Sequence, residues 1–240
     1  MSTQARGVFV TGTDTGVGKT LVSCSILRAM RRRGRRVGVY KPAETGCPRG
    51  PDGRLYGEDC RRLLAAADTG QAEESVSAAL YPIPAAPLVS AEAEGESLEP
   101  AALVGAFQAV ASRYDSVLVE GAGGLLVPIA PGFTYADLAQ LLDLPVLLVV
   151  GSKLGCLNHA LLTLAELERR GLEVAGYVLN QVEAASDAPE AVATNRDTLA
   201  RFASAPELGV LPHIEATERE DFEGLASRAE VAIEVSRLPL

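Results

Sequence analysis

The sequence predicts an α/β fold, a doubly wound and mostly parallel β-sheet flanked by helices. Three observations carry this. Short β-rich runs alternate with helical patterns along the whole chain, which is the mark of strand–helix–strand units with right-handed crossovers. The strand runs are continuously apolar rather than alternating, as expected of strands covered on both faces. A glycine-rich loop joins the first strand to the first helix.

Taken in order, Gly7 to Thr11 reads as the first strand, followed by a glycine loop and a helix from Lys19 to Arg33 that stops at Gly34. Glycine is the usual terminator because it accepts the left-handed backbone at a helix end. Further strands are expected at Val37–Lys41, Ser116–Glu120, Pro145–Val150, Val174–Asn180 and Leu208–Leu211. Helices are expected at Asp59–Ala67, Pro100–Arg113, Tyr135–Leu142, Leu157–Arg170, Ala188–Phe202 and Glu218–Glu230. Two stretches break the rhythm. Glu44 to Gly57, rich in Gly, Pro and charge, reads as a mobile loop. Tyr81 to Pro100, rich in proline and acid, reads as a long surface connection rather than a linker. A length of 240 residues then fits one domain over residues 1–240.

Composition excludes several classes. Hydrophobic residues make up 48% and charged residues 22%, a globular balance rather than a disordered one. The longest apolar run, Leu144 to Gly151, is far shorter than the roughly 18 residues a membrane span needs. The segment Met1 to Arg6 is polar, so no export signal is expected and the cytoplasm is the expected location. A net charge of −9 disfavours nucleic acid as a partner. The cluster Arg31, Arg32, Arg33, Arg35 and Arg36 is the contrary feature, and reads as a solvated helix C-terminus. None of Cys24, Cys47, Cys60 and Cys156 forms a CxxC pair, so reduced thiols are expected.

Lysine usage is more telling. Only Lys19, Lys41 and Lys153 accompany 19 arginines. A chain that uses arginine almost everywhere marks its lysines as places where a compact ammonium is needed. All three fall at or just beyond predicted strand ends, the rim where open α/β sheets bind ligands.

The strongest motif is Gly12-Thr13-Asp14-Thr15-Gly16-Val17-Gly18-Lys19-Thr20, between a strand and a helix. It is a phosphate-binding loop one residue longer than GxxxxGK[ST]. Such glycines let backbone N–H groups face phosphate oxygens, and the helix N-terminus adds partial positive charge. Lys19 then reaches the β- and γ-phosphates and the Thr20 hydroxyl serves Mg²⁺. Glu120, at a strand end before Gly121-Ala122-Gly123-Gly124, is a candidate second Mg²⁺-side oxygen donor. Asp59 is either a helix-start acid or a metal-side carboxylate. Asn180 is either a strand-end cap or a reader of a purine edge, since its amide both donates and accepts. His213 and His159 read as ordinary polar residues, and Cys156 as a small buried hydrophobe. Gly151 to His159 reads as a glycine turn entering a helix, whose free N–H groups suit a carboxylate.

The loop GTDTGVGKT, then YKPAETG, VEGAGG and GSKLGCLNHA, in this order, resembles the dethiobiotin synthetase family of biotin biosynthesis, from Phe9 to about Pro212. The resemblance implies a P-loop NTPase-like ligase that joins 7,8-diaminononanoate and CO₂ at the expense of Mg·ATP. It implies that Gly16, Val17, Gly18, Lys19, Thr20 and Leu21 lie at the ATP phosphates, and that Thr20, Asp59 and Glu120 lie at Mg²⁺. Lys41 becomes the catalytic lysine with Lys19 beside it, and Thr15 and Thr45 approach the diamine or its carbamate. Glu120, Gly121, Ala122, Gly123, Asn180, Gln181, Pro212, His213 and Ile214 surround the nucleotide. Gly155, Cys156, Leu157 and Asn158 hold the substrate's tail carboxylate across a homodimer interface. Thr45 replaces a serine seen in some members and keeps the hydroxyl. The alternative is an ATP-switch protein of the partitioning or metal-cluster-scaffold type, whose signature lysine early in the loop is here Asp14.

Overall fold

The computed structural model describes residues 6–184 and 189–240. The predicted helix start at Ala188 and the polar residues 1–5 lie outside the described residues. Strands β1 (Gly7–Gly12), β2 (Val37–Thr45), β3 (Ser77–Tyr81), β4 (Ser116–Gly124), β7 (Val146–Gly151), β8 (Val174–Asn180) and β9 (Glu207–Leu211) form one sheet in the order β3-β2-β4-β1-β7-β8-β9. Every pairing in this sheet is parallel. Strands β5 (Pro128–Ala130) and β6 (Phe133–Thr134) make a separate antiparallel hairpin.

The helices are α1 (Lys19–Arg32), α2 (Glu58–Ala67), α3 (Pro87–Ala93), α4 (Pro100–Ala111), α5 (Tyr135–Leu142), α6 (Cys156–Arg169), α7 (Pro189–Phe202) and α8 (Phe222–Ala232). They cover both faces of the sheet. Strand periodicity divides the core: Val8 and Val10 of β1, Leu118 of β4 and Leu147 and Val149 of β7 pack with α1, α2 and α8. Phe9, Val117, Val119, Leu148 and Val150, the alternate residues, pack with α4, α5 and α6. This is the two-faced burial that the continuous apolar strands imply. From β1 the chain runs outward to β2 and β3, returns to β4, and then crosses to β7 on the other side of β1. The loop after β1 therefore sits where the strand order reverses, the usual ligand crevice of such sheets.

Three expectations need correction. The segment Tyr81 to Pro100 is not only a connection: it contains α3, with Pro87 at its start and Ser90 and Ala91 buried. Proline suits a first helical position because its missing N–H would have no partner there. The loop read from Glu44 starts later, since Glu44 and Thr45 complete β2 and Glu44 is buried. The last helix begins at Phe222 rather than Glu218, because the Asp221 side chain caps it by accepting the Gly224 N–H at 3.0 Å. Strand β3 and the β5–β6 hairpin are additions to the sequence reading.

Four of the five clustered arginines are engaged within the chain. Arg31 pairs Asp68, Arg32 pairs Glu223 and Glu230, Arg35 donates to the Leu240 carbonyl, and Arg36 lies over the Tyr114 ring. Among the described residues, no helix is long and apolar enough to cross a membrane.

Pairing of β2 with β3 begins only at Lys41, which leaves the Val39 backbone in need of a partner on that side. The buried Gln71 side chain supplies it, accepting the Val39 N–H at 2.9 Å and donating to the Val39 carbonyl at 2.8 Å. Gln71→Leu keeps the volume and leaves both groups buried and unpaired. It is expected to cost about 3 kcal/mol, or roughly 10 °C in melting temperature, measured by thermal unfolding.

Candidate active site

The turn after β1 is shaped by glycine. Gly16 and Gly18 hold φ of 75° and 85°, a left-handed conformation that side chains resist. A Cβ on Gly18 would also collide with the Asn180 amide. The chain then enters α1 at Lys19, so Lys19 and Thr20 occupy its first turn. The Lys19 stem runs close to Gly12, and its Nζ donates to the Asp14 carbonyl at 3.1 Å. Burial pulls the Lys19 amine down to about 8, with Glu120 acting in the opposite sense.

Strand register assembles the charges. Tyr40 of β2 is level with Val119 of β4. The next residues are Lys41 and Glu120, whose side chains point toward α1. Lys41 Nζ meets Glu120 Oε1 at 2.8 Å and Asp59 Oδ2 at 2.8 Å. The Thr20 hydroxyl donates to the same Oε1 at 2.8 Å, and the Ser23 hydroxyl donates to Oε2 at 2.6 Å. Glu120 is fully buried at 0% exposure, so both oxygens depend on these donors. Burial alone would lower the Lys41 amine, but Glu120, Asp59 and Glu44 hold it well above its ordinary value. Asp59 is likewise pushed up by burial, and the Lys41 charge and hydrogen bond outweigh this and lower it. Lys41 is thus an ammonium between two carboxylates.

A cleft of about 620 Å³ opens over this cluster. Its floor is Thr15, Gly16, Gly18, Lys19, Thr20 and Leu21. Lys41, Thr45 and Asp59 form one side, and Ala122, Gly123, Asn180, Gln181, His213 and Ile214 also line it. The Asn180 Nδ2 donates to the Val17 carbonyl at 2.9 Å, which leaves its buried Oδ1 unpartnered in the protein.

Several sequence-selected residues lie elsewhere. Glu120 sits beneath the cleft rather than in its wall, and Val17 and Gly121 pack behind it. Pro212 is exposed outside the cleft wall. The turn Gly155-Cys156-Leu157-Asn158 at the start of α6 lines no part of this cleft, and neither does Lys153. Of the three lysines, Lys19 and Lys41 line the cleft and Lys153 does not.

Other residues were not legible. Pro84, Ala85, Ala86 and Pro87, before and at the start of α3, form an apolar wall, and Arg62 and Arg219 add cations. Ser23 carried a usable signal, since it lies three residues after Thr20 and so on the same helix face. Glu44 carried none, because its partners arrive with α2.

Thr20 and Lys41 meet at Glu120 Oε1 and Lys41 also pairs Asp59, so a hydroxyl and two carboxylates, hard oxygen ligands of the kind Mg²⁺ takes, lie together.

A family model described as an AAA domain (AAA_26) matches residues 6–221. An ATP-dependent dethiobiotin synthetase of Anaeromyxobacter sp. (strain K) is 44% identical over 209 residues, 86% of this chain and 90% of that protein. One from Aromatoleum aromaticum (strain DSM 19018 / LMG 30748 / EbN1) is 39% identical over 212 residues, 88% of this chain and 92% of the relative. Among solved structures, a ParA family ATPase from Chlorobium tepidum TLS is similar, with a TM-score of 0.54, 17% identity, and coverage of 98% of this chain and 97% of that one. The MinC:MinD cell division protein complex of Aquifex aeolicus gives a TM-score of 0.54 at 16% identity, over 97% of this chain and 94% of that one. At such identities the likeness is one of fold, whereas the closer relatives share sequence over nearly their whole length. The chain belongs to the family of ATP-dependent dethiobiotin synthetases.

Proposed function

We propose that the protein closes 7,8-diaminononanoate and CO₂ into the cyclic urea dethiobiotin, with Mg·ATP cleaved to ADP and phosphate. The observation that carries this reading is the placing of Lys41 beside the phosphate-loop residue Thr20, at the edge of the same cleft. In this reading one substrate amine adds to CO₂ and loses a proton, giving a carbamate. A carbamate oxygen attacks the γ-phosphorus, and ADP leaves with the bridging oxygen. The second amine attacks the carbonyl of the resulting carbamic–phosphoric anhydride, loses a proton and expels phosphate.

Such chemistry asks for positioning and charge neutralisation rather than a protein nucleophile. The loop and Lys19 hold the phosphates, and Lys41 supplies positive charge where carbamate and phosphoryl oxygens meet. Thr20, Asp59 and Glu120 would hold Mg²⁺, which supplies charge neutralisation at the phosphates. Thr15 and Thr45 offer hydroxyls to the diamine end. Asn180 lines the base end of the cleft, and a side-chain amide that both donates and accepts suits adenine. Gln181, His213 and Ile214 complete the base end.

The Gly155–Asn158 turn does not line the cleft, and in this reading the tail carboxylate is received by this turn on a second copy. The helix N-terminus there suits an anion. Leu126 and Leu162, both exposed, border one groove beside the phosphate loop and form the apolar part of that homodimer face. The cysteines are unpaired and buried, in keeping with the cytoplasm.

The first test is phosphate release from Mg·ATP with mass detection of the urea. Release should require both diamine and bicarbonate, and release that ignores the diamine would instead mark an ATP switch. Lys41→Ala should lower kcat roughly a thousandfold while ATP affinity moves less than about threefold, read by steady-state kinetics and calorimetry. Equal loss of both would remove Lys41 from the chemistry. Lys19→Arg should lose at least ~100-fold in kcat/KM, because the guanidinium cannot follow the stem past Gly12. Leu162→Glu should shift sedimentation from dimer to monomer and raise KM for the diamine by about tenfold.

A further inference from the structure

Glu44 is a buried carboxylate to which the reaction assigns nothing. It lies at the end of β2, three residues beyond Lys41, and is 7% exposed. Its Oε1 accepts the Asp59 N–H at 2.9 Å and its Oε2 accepts the Cys60 N–H at 2.9 Å. These two donors belong to the first turn of α2 and have no partner within the helix. The residue in the capping position, Gly57, has no side chain with which to satisfy them. The cap is therefore delivered from a neighbouring strand, and its negative charge meets the positive end of the helix.

Gly57 is the second, independent observation. Its backbone, at φ −88° and ψ 117°, is open to any residue, so conformation does not demand glycine. Space does. A Cβ at this position would run into Glu44 Oε2 and come 2.9 Å from Cδ. Glu44 and Gly57 thus form a lock between the end of β2 and the start of α2.

We infer that Glu44 is a positioning residue, which sets the Asp59 carboxylate against Lys41 and the Thr20 side by clamping the Asp59 and Cys60 backbone. It rests on the reading above that Asp59 is a metal-side carboxylate. The clamp holds Asp59 at both ends: its N–H on Glu44 and its carboxylate on Lys41. Without it the first turn of α2 is free to fray, and Asp59 shifts with it. Glu44 also lines the cleft between Lys41 and Thr45, with both carboxylate oxygens committed to the Asp59 and Cys60 N–H groups.

The test is Mg²⁺-dependent ADP binding by calorimetry on the full chain, with thermal unfolding and steady-state kinetics alongside. Glu44→Ala should weaken ADP binding in the presence of Mg²⁺ by about tenfold, the usual scale for losing a group that orients a metal-side carboxylate. Binding without Mg²⁺ should stay within about twofold, because the phosphate loop is untouched. Gly57→Ala should reproduce the effect with Glu44 intact, and the double variant should be no worse than Glu44→Ala alone. Glu44→Gln, which keeps one acceptor and loses the other, should fall between. If Glu44→Ala does not fold, Gly57→Ala and Glu44→Gln decide the matter. Variants that melt earlier yet keep wild-type Mg²⁺ dependence would reduce Glu44 to a structural cap and overturn the inference, as would additive effects in the double variant. Asp59→Ala separates the two levels. If it leaves Mg²⁺ dependence unchanged, the metal-side role of Asp59 fails; if it abolishes the dependence while Glu44→Ala does not, only the positioning role fails.

Discussion

The buried pairing of Lys41 with Glu120 is the interaction on which the site depends. Glu120 has no contact with solvent. A lone carboxylate in that position would cost several kcal/mol, and an ion pair roughly offsets that cost only when its remaining lone pairs are also satisfied. Here Thr20 and Ser23 satisfy them from α1, and Lys41 from β2. Three elements must therefore be in register at once. Well-packed apolar residues would serve stability about as well, so keeping charge at the centre of the sheet is best explained by chemistry.

That constraint organises what surrounds it. Because β2, β4 and β1 are adjacent and parallel, their carboxyl ends present Lys41, Glu120 and the phosphate loop on one edge. Because α1 starts immediately after the loop, Thr20 and Ser23 come down on Glu120 from one helix face. The loop is held in turn by Asn180, whose amide bonds the Val17 carbonyl from the end of β8. The cleft is thus rimmed by the ends of β1, β2, β4 and β8 and roofed on one side by the segment leading into α3. Lys41 and Glu120 are carried by strands of the core sheet, which keeps these charged groups from relaxing toward water.

Much of this arrangement is written locally. The phosphate loop, the strand ends carrying Lys41 and Glu120, and the first turns of α1, α5 and α6 follow from glycines, periodicity and cap residues acting within a few positions. Strand β3 was missed because Ser77-Ala78-Ala79-Leu80-Tyr81 has little β preference; it becomes a strand by adding to the open side of β2. Helix α3 was missed because the surrounding prolines read as punctuation, although Pro87 stands at the one helical position that suits it. Lys153 shares the sheet edge but not the cleft, because lying beyond a strand end does not fix which side of the rim a side chain takes.

The sequence by itself determined the alternation of strands and helices, the phosphate loop and the placing of its lysines at strand ends. Those features rest on short-range physics: backbone freedom at glycine, side-chain period, and charge at helix ends. Only the tertiary structure decided that Glu120 is buried rather than solvated, that Ser23 and Glu44 support the carboxylates, and that the Gly155–Asn158 turn lies outside its own cleft. These depend on which strands pair and in what register. A one-residue slip of β2 against β4 would turn Lys41 to the opposite face, and no local run of residues specifies that register.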